Sequence, residues 1–390
     1  MPSHPFDTPA AKAKDGTLYV AFELSRSTWQ IGFVASGETT LSRYKVAGGD
    51  TAAVWRLLSK KREQAEKKQG RPVRVVSCYE AGYDGFWLDR WLAEQGIENR
   101  VLDPSSIEMP RRARQAKTDR LDLERLMRVL IRYEGGEPKV CSVVHRPTPE
   151  QEDSRRVTRE RDRLIVERTA HGNRIKGLLH GQGVRDVPPR RKGFLEQLAQ
   201  LRTGDGRAVP ANLMAEITRE HARLTQVCEQ IAEIEGQMKA ARAAAAPDSR
   251  AGQVNHLISL KRLGPNGGEG LVNEVFWRDF QNRRQVGACL GLTGTPFDSG
   301  QSSREQGISK SGNSRARSLA VELSWLWLRH QPDSALSLWF KERVGTQKGR
   351  VKRIAIVALA RKLMVALWRF LTTGLVPEGA TLRTAAPAGR

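Results

Sequence analysis

The pattern of apolar and polar positions in the first 150 residues predicts strands that alternate with helices. Three runs between residues 18 and 48 are rich in β-branched and aromatic side chains and indicate successive strands: LYVAFELS, STWQIGFVAS and TTLSRYKVAG. The next segments indicate an exposed helix, a buried strand, an amphipathic helix and a short strand: WRLLSKKREQAEKKQG, VRVVSCYEAG, FWLDRWLAEQG and IENRVLDP. This alternation predicts an α/β layer with at least one parallel pair of strands.

After about Pro149 the chain becomes helical and strongly charged, and the run from Glu152 to Val184 has the length of one long helix. In the next helical run, apolar residues recur at gaps of 7, 3, 4, 3 and 4, as in a coiled-coil seam: Ile217, Leu224, Val227, Ile231, Ile234 and Met238. Such a seam packs on a neighbouring helix of the same chain or on a second copy of the chain. The spacing leaves both alternatives open.

The last part of the chain is separated from this seam by an alanine-rich stretch, ARAAAAPDSRAG, which indicates a linker. The following run, LISLKRLGPNGGEGLVNEVF, predicts a helix, a Gly-rich hairpin and a second helix, a motif whose backbone amides can bind a DNA phosphate. We therefore predict five segments: a disordered leader (1–16), an α/β domain (17–149), a helical coiled-coil region (150–246), a mostly helical C-terminal domain (253–375) and a tail (376–390).

The amino-acid composition shows a large positive net charge, which the pattern of apolar and polar positions does not show. The 390 residues include 65 Lys and Arg against 43 Asp and Glu, which gives a net charge of +22 and favours a polyanion such as nucleic acid as partner. The longest apolar stretch, Ile354–Ala360, is far shorter than the roughly 20 residues that span a bilayer, and no signal peptide opens the chain. Four scattered cysteines form no zinc-finger spacing and favour a reduced, cytoplasmic setting.

Four acids are candidates for a metal site. Glu23 lies in the first apolar strand and Glu80 ends the run VRVVSCYE, where a carboxylate is costly unless it is paired or binds a cation. Asp119 and Asp122 open a helix in AKTDRLD and, three residues apart, share one face of it. Carboxylates suit magnesium or manganese. Spacing alone leaves the alternative that both aspartates are helix-start residues paired with neighbouring arginines.

A second candidate site is the Gly- and Ser-rich segment from Thr293 to Asn313, which precedes an apolar helix. Backbone amides, arginines and a helix N-terminus together form a phosphate site, where a serine can attack a phosphodiester. The alternative is a flexible loop with helix-capping serines. The chemistry of the sequence does not choose among its serines, which are Ser299, Ser302, Ser303, Ser309, Ser311 and Ser314.

In combination and in this order, the motifs resemble those of the insertion-sequence transposases of the "IS one-ten" family. The resemblance extends from about Tyr19 to Leu371 and is carried by YEAGYDGFWLDRWLAEQGI, AKTDRLDLERL, QVGACLGLTGTPFDSG, GISKSGNSRARSLA and VKRIAIVALARKLMVALW. It implies an α/β RuvC-like (RNase H-like) N-terminal domain with an Asp-Glu-Asp-Asp site, a helical coiled-coil middle and a mostly α-helical transposase domain with a catalytic serine.

The resemblance also implies the roles of single residues. Glu80 matches the family's glutamate, Asp119 and Asp122 match its paired aspartates, and Glu23 stands where the family usually has aspartate. Ser299, in DSG, matches the nucleophile, with Ser302, Ser303 and Ser309 as alternatives. The metal would be Mg²⁺ or Mn²⁺. We expect nucleic-acid contacts from Arg111, Arg112, Arg114, Lys117, Arg120, Arg304, Lys310, Asn313, Arg315 and Arg317.

The function implied is a DNA transposase or recombinase that cuts and rejoins strands through a phosphoserine intermediate. The resemblance further implies a structured noncoding guide RNA, a homo-oligomer (dimer or tetramer) and a place at the nucleoid of a bacterial cytoplasm. One alternative is a RuvC-like junction resolvase or nuclease, in which water is the nucleophile. Another is a catalytically decayed nucleic-acid-binding scaffold, in which Glu23 marks lost chemistry.

Overall fold

A computed structural model describes residues 16–107, 119–299 and 302–383 of the chain, without the side chains of residues 119–120, 298–299 and 302–305. Residues 1–15 of the expected leader lie outside these ranges. The chain divides into two compact units, Met1–Thr148 and Pro149–Arg390. Within the described ranges, no helix is both long and apolar enough to cross a membrane.

The first unit contains a mixed sheet whose strands are β1 (Thr17–Glu23), β2 (Thr28–Ala35), β3 (Ser42–Ala47), β4 (Arg74–Glu80) and β5 (Glu98–Leu102). Their order across the sheet is β3-β2-β1-β4-β5. β2 is antiparallel to both β1 and β3, whereas β4 is parallel to both β1 and β5. The predicted α/β layer and its parallel pairing are confirmed. The carboxyl ends of β1, β4 and β5 consequently lie at one edge of the sheet, which we call the carboxyl edge.

Helices cover both faces of this sheet: α1 (Thr51–Gln69), α2 (Trp87–Glu94) and α3 (Asp119–Glu134). Val54 of α1 and Leu88 of α2 belong to the core on one face, and Leu123 of α3 belongs to the core on the other. Gly32 in β2 allows α3 to approach closely, because a Cβ there would lie 2.9 Å from Leu41 Cδ1 and 3.3 Å from Leu123 Cδ2. The position of α3 over the sheet therefore follows from apolar packing.

The second unit is mostly helical and contains one two-stranded sheet. Its helices are α4 (Pro149–His180), α5 (Phe194–Gln200), α6 (Ala211–Ala243), α7 (Arg250–Ile258), α8 (Pro265–Glu274), α9 (Arg283–Cys289), α10 (Ser314–His330), α11 (Ala335–Val344) and α12 (Arg350–Thr373). Its strands are β6 (Gly294–Ser299) and β7 (Ser302–Ile308). The main core of this unit is built from α7 to α10 and α12.

The long helices α4 and α6 pack against each other in antiparallel orientation. Arg161 is 2.6 Å from Glu235, whereas Arg174, further along α4, is 2.7 Å from Glu216, which is earlier on α6. All six residues of the predicted seam are buried, and Leu164 of α4 shares a core with four of them. The seam is therefore buried within one chain, as in the first of the two alternatives.

The Gly-rich hairpin predicted in LGPNGGEG is wrong in its details. A turn does follow α7, but Gly267 and Gly270 lie inside α8. A Cβ at Gly267 would lie 2.9 Å from Leu323 Cδ2, and one at Gly270 would lie 2.6 Å from Leu319 Cδ2. The glycines therefore serve close packing between α8 and α10, and this gain outweighs their low helix propensity.

Two other segments are more ordered than the pattern suggests. The serine-rich segment forms the β6–β7 hairpin instead of an irregular loop, with Ser299 paired to Ser302. In the expected tail, the carbonyl oxygen of Thr381 accepts hydrogen bonds from the Lys261 backbone N–H (2.9 Å) and from Gln331 Nε2 (3.0 Å). Residues up to 383 therefore belong to the packed second unit.

Candidate active site

Glu23 and Glu80 lie side by side at the carboxyl edge of the N-terminal sheet. Each is the last residue of its strand, β1 and β4, and the pairing of Phe22 with Tyr79 places the two acids next to each other. Neighbouring strands are about 4.8 Å apart, so the two carboxylates start from adjacent backbone positions. Both residues are half-buried. The structure thus brings together two of the four predicted acids.

Both side chains belong to the sheet face that α3 covers. Ala21 and Cys78, two residues before the acids, share a core with Leu126 of α3, and side chains alternate along a strand. The Cys78 thiol lies 3.6 Å from the carbonyl oxygen of Leu126, to which it donates. Burial above all, and then the nearby Cys141 and Glu80, raises the pKa of this thiol. Cys78 is therefore an inert core residue at the base of the site.

The predicted aspartates lie on α3. Asp119 is its first residue and Asp122 follows within the first turn. The Asp122 side chain is buried, and its Oδ1 is 3.1 Å from Arg125 Nη1. Only the backbone of Asp119 is described. The structure therefore places both aspartates at the start of the helix that covers Glu23 and Glu80.

The described side chains do not by themselves complete a metal site. Among them, no group of three or more His, Cys, Asp or Glu side chains is arranged to hold a metal ion, and this search does not include Asp119. The chemistry of the donors nevertheless fits a hard divalent cation, since all four predicted ligands are carboxylates. Glu23 and Glu80 lie at adjacent strand ends, and Asp119 and Asp122 lie in the first turn of α3.

At the opposite edge of the same sheet, where β1, β4 and β5 begin and which we call the amino edge, acidic side chains pair with arginines. Glu134, near the end of α3, has a side chain only 5% exposed and accepts from Arg74 Nη1 at 3.0 Å and from Arg100 Nε at 3.1 Å. Glu98 pairs with the same two arginines. Hydrogen bonding from Arg74, above all, lowers the pKa of Glu98 to about 2. This network has no local sequence signal, because Arg74, Arg100 and Glu134 are far apart along the chain.

The predicted nucleophile lies on the β6–β7 hairpin of the second unit. Ser299 is the last residue of β6, and its side chain is outside the described set. The base of the hairpin is held by backbone hydrogen bonds, from Ser309 N to Thr293 O at 2.8 Å and from Lys310 N to Gly291 O at 3.1 Å. Gly291 has φ +62°, and a Cβ there would lie 1.9 Å from the Ser311 carbonyl oxygen. Only glycine fits this position, which fixes the base of the hairpin.

Several of the predicted nucleic-acid contacts are engaged inside the second unit. Arg317 Nη1 donates to the carbonyl oxygens of Leu290 (3.0 Å) and Lys310 (3.1 Å), and Arg315 pairs with Asp162. Lys310 itself is exposed. The remaining predicted contacts lie outside the described residues or, for the last two, outside the described side chains: Arg111, Arg112, Arg114, Lys117, Arg120 and Arg304.

Asn313 and Glu274 form a structural junction that the sequence did not reveal. Asn313 caps α10, where its Oδ1 accepts from the Ala316 N–H at 3.1 Å, and its Nδ2 donates to Glu274 Oε2 at 2.8 Å. Glu274 also accepts two hydrogen bonds from Arg159, at 2.7 and 3.0 Å. Burial raises the pKa of Glu274, but these hydrogen bonds outweigh it and leave the pKa below its usual value. The junction joins α4, α8 and α10 behind the hairpin.

Comparison with known proteins identifies the family of this chain. Residues 26–182 match the family model DEDD_Tnp_IS110, described as a transposase, and residues 254–338 match the model of the transposase IS116/IS110/IS902 family. A protein of Sinorhizobium fredii named as a transposase, y4rJ, is 45% identical over 377 residues, which are 95% of each chain. The chain belongs to the IS116/IS110/IS902 family of transposases.

More distant relatives cover most of the chain as well. The transposase for insertion sequence element IS1111A of Coxiella burnetii is 27% identical over 305 residues, 77% of this chain and 78% of its own. The transposase for IS1328 of Yersinia enterocolitica is 26% identical over 315 residues, 78% of this chain and 84% of its own. The resemblance inferred from the sequence motifs is thereby confirmed.

Family membership defines the general chemistry of this transposase. Transposases act on DNA, and a DEDD domain implies dependence on a divalent metal ion. The DEDD match begins at residue 26, so it includes Glu80, Asp119 and Asp122 but not Glu23. Ser299 lies within the second match.

Proposed function

We propose that this transposase cuts and rejoins DNA strands through a covalent phosphoserine at Ser299, with Mg²⁺ held by Glu23, Glu80, Asp119 and Asp122 in a RuvC-like N-terminal domain. The observation that carries the proposal is the pair of acids at adjacent ends of β1 and β4, covered by the helix that opens with both aspartates. Adjacent strand ends start the two side chains from neighbouring positions, and carboxylates are the ligands that a hard divalent cation prefers.

The serine step conserves phosphodiester bonds. The Ser299 hydroxyl oxygen attacks the phosphorus and forms an Oγ–P bond, while the bond from phosphorus to the oxygen of one strand breaks. The serine hydroxyl loses a proton, and the leaving oxygen takes one up. In the second step, a hydroxyl of another strand attacks the phosphoserine and restores the serine. No outside energy source is needed, because each bond broken is replaced by a similar one.

The acids have a separate task in this scheme. A divalent cation, when bound, supplies positive charge to the reacting phosphate and lowers the pKa of an attacking hydroxyl. Glu23 adds one methylene relative to the aspartate usual in the family, which moves its carboxylate further from β1. We expect Glu23→Asp to preserve activity or increase it, whereas Glu23→Ala abolishes it.

The partners of the proposed reaction follow from charge. A net charge of +22 supports binding of the phosphate backbones of DNA and of a structured noncoding guide RNA, which would select sequence by base pairing. We further propose a dimer or tetramer. Because the α6 seam is buried within the chain, subunit contacts would use other surfaces.

The test combines recombination with adduct trapping. Recombination between element ends and a target plasmid should be lost in Ser299→Ala and in Asp119→Ala. The wild-type protein should leave a protein–DNA adduct on denaturing gels, and Ser299→Ala should leave none. Ser302→Ala serves as the matched control from the same hairpin.

Each other outcome points to a different reaction. Cleavage without any adduct in the wild-type protein would indicate water as nucleophile, as in a junction resolvase. Loss of the adduct in Ser302→Ala but not in Ser299→Ala would move the nucleophile to Ser302. Recombination that persists in both Ser299→Ala and Asp119→Ala would refute the proposal.

A further inference from the structure

A groove in the second unit lies between α10 and α12, beside the base of the β6–β7 hairpin. Its volume is about 490 Å³. Four of its lining side chains are apolar, and three are polar or charged: Leu292, Ile308, Val321 and Val357, with Arg317, Ser318 and Glu322. Trp325 forms part of the wall and is 41% exposed. The volume is in the range of sites that hold nucleoside-sized ligands, roughly 300–1,000 Å³. An open indole beside an apolar groove of this size can accept a flat ring.

A dense group of cations lies next to this groove. We call residues 341–353, where α11 ends and α12 begins, the basic corner. It contains six Lys or Arg residues and one Glu, Glu342. All six are exposed and have no carboxylate within 4.0 Å among the described residues. Lys341 donates to the Pro332 carbonyl oxygen at 2.9 Å, which leaves five cations for a ligand: Arg343, Lys348, Arg350, Lys352 and Arg353. Unpaired surface cations at this density favour a phosphate backbone.

The start of α12 adds to the positive potential of the basic corner. Its N-cap is Gly349, and no described side chain caps its first turn. The amide groups there are open to an anion, and the dipole of this 24-residue helix is positive at that end. The cations and the helix end therefore act in the same direction.

Lys352 connects the groove with the basic corner. Its Nζ is 5.3 Å from the centre of the Trp325 ring. Arg315 and Arg317, in contrast, are engaged with Asp162 and with backbone carbonyls. One exposed cation of the basic corner thus lies over an exposed aromatic ring, and proteins that bind single-stranded nucleic acid combine cations with aromatic rings in this way.

We propose that the groove and the basic corner together bind an unpaired segment of DNA, with one base against Trp325 and the phosphates along the corner. The proposal rests on the proposed function for the identity of the ligand. β6 runs from the edge of the groove to Ser299, which is five residues beyond Gly294 and so roughly 17 Å away. The proposed binding site is therefore about one strand length from this serine.

The contribution of the ring is tested by fluorescence anisotropy of the full chain with a labelled oligo-dT of about 15 nucleotides, in EDTA. Trp325→Ala should weaken binding roughly ten-fold, as expected for the loss of one stacked base, and should leave its dependence on salt unchanged. Trp325→Phe should keep most of the affinity. Trp55→Ala is the matched control, since Trp55 is 39% exposed but lies on α1 of the other unit.

The contribution of charge is tested with two triple variants that change net charge equally. Lys348→Glu, Arg350→Glu and Arg353→Glu in the basic corner should reduce the slope of log affinity against log salt by about 2, since each phosphate contact to a single strand contributes roughly 0.7. The control triple, Arg56→Glu, Lys60→Glu and Lys67→Glu, changes exposed cations of α1 and should leave the slope unchanged.

Three results would overturn the proposal. Equal losses in the two triple variants would show that only net charge matters. Unchanged affinity in Trp325→Ala would show that no base stacks on Trp325. Tighter binding of oligo-U than of oligo-dT, with the same dependence on Trp325, would assign the groove to RNA. Because no strand is cut in EDTA, these results are independent of whether Ser299 is the nucleophile.

Discussion

The two edges of the N-terminal sheet arrange acids in opposite ways. At the amino edge, Glu98 and Glu134 alternate with Arg74 and Arg100, so that each carboxylate faces opposite charge. At the carboxyl edge, Glu23 and Glu80 occupy neighbouring positions on neighbouring strands. The same helix, α3, contributes Glu134 to the amino edge at its end and has Asp119 and Asp122 in its first turn.

This difference separates acids that stabilise the fold from acids that are proposed to bind the metal ion. Opposite charges at the amino edge stabilise the folded chain, because Glu134 is buried between Arg74 and Arg100. Removal of a carboxylate charge should therefore reduce stability at the amino edge and reduce activity at the carboxyl edge. Substitution of Glu by Gln, which keeps the shape of the side chain, isolates this effect.

The largest effect is expected from Glu80→Gln at the carboxyl edge. Loss of a proposed metal ligand should reduce cleavage of labelled element-end DNA with Mg²⁺ at least about 100-fold, since even outer-shell changes cost 10- to 100-fold. The free energy of unfolding should fall less than in Glu134→Gln, because Glu80 is half-buried whereas the Glu134 side chain is only 5% exposed. The control is Glu94→Gln, an exposed residue at the end of α2. Full cleavage by Glu80→Gln would remove Glu80 from the site.

Glu134→Gln at the amino edge should reduce stability and leave DNA cleavage unchanged. The variant loses a buried carboxylate that accepts from two arginines, and the free energy of unfolding should fall by about 2 kcal/mol, the range for hydrogen bonds to charged groups. Cleavage per folded molecule should stay unchanged. Urea unfolding followed by circular dichroism measures the free energy of unfolding, and the DNA assay measures cleavage. A loss of cleavage without a loss of stability would contradict the separation of the two edges.

Much of this arrangement was predictable from the sequence because strands and acids leave local signals. Alternating apolar runs revealed β1 to β5, and the cost of a carboxylate in an apolar strand drew attention to Glu23 and Glu80. The amino-edge network was not predictable, since Arg74, Arg100 and Glu134 meet only after the sheet has formed. Long-range ion pairs have no spacing signature in a single chain.

The errors in the second unit have physical causes. The glycines of α8 were read as a turn because glycine has low helix propensity, yet Pro265 at the first helical position was a signal for a helix start. The segment of β6 and β7 was interpreted as a loop because it lacks alternating apolar and polar residues. The two strands form a separate two-stranded sheet, so no buried face requires that alternation. The available cations of the basic corner were missed because sequence counts charges but does not show which are paired.

A smaller effect is expected from the pH dependence of the amino edge. The pKa of Glu98 is lowered from its ordinary value of 4.5 to about 2, chiefly by the hydrogen bond from Arg74. Since this pKa is lower in the folded than in the unfolded chain, the stabilisation is complete above about 4.5 and is lost as pH falls towards 2.

Glu98→Gln tests this pH dependence. The variant should take up fewer protons on unfolding within this window, by up to one, so that its free energy of unfolding changes less steeply with pH. Urea unfolding at a series of acid pH values measures the slope, with Glu94→Gln as control. An identical slope in Glu98→Gln and wild-type protein would contradict the assignment.

The smallest effect is expected from an ion pair of the same unit that is more exposed. Lys68 Nζ lies 2.6 Å from Glu38 Oε1, but the two side chains are 69% and 36% exposed. Solvent screens such a pair, so Lys68→Ala should change the free energy of unfolding by no more than about 0.5 kcal/mol. The same urea titration measures it beside Glu134→Gln. A loss as large as that of Glu134→Gln would show that pairing alone, and not burial of the carboxylate between two arginines, stabilises the amino edge.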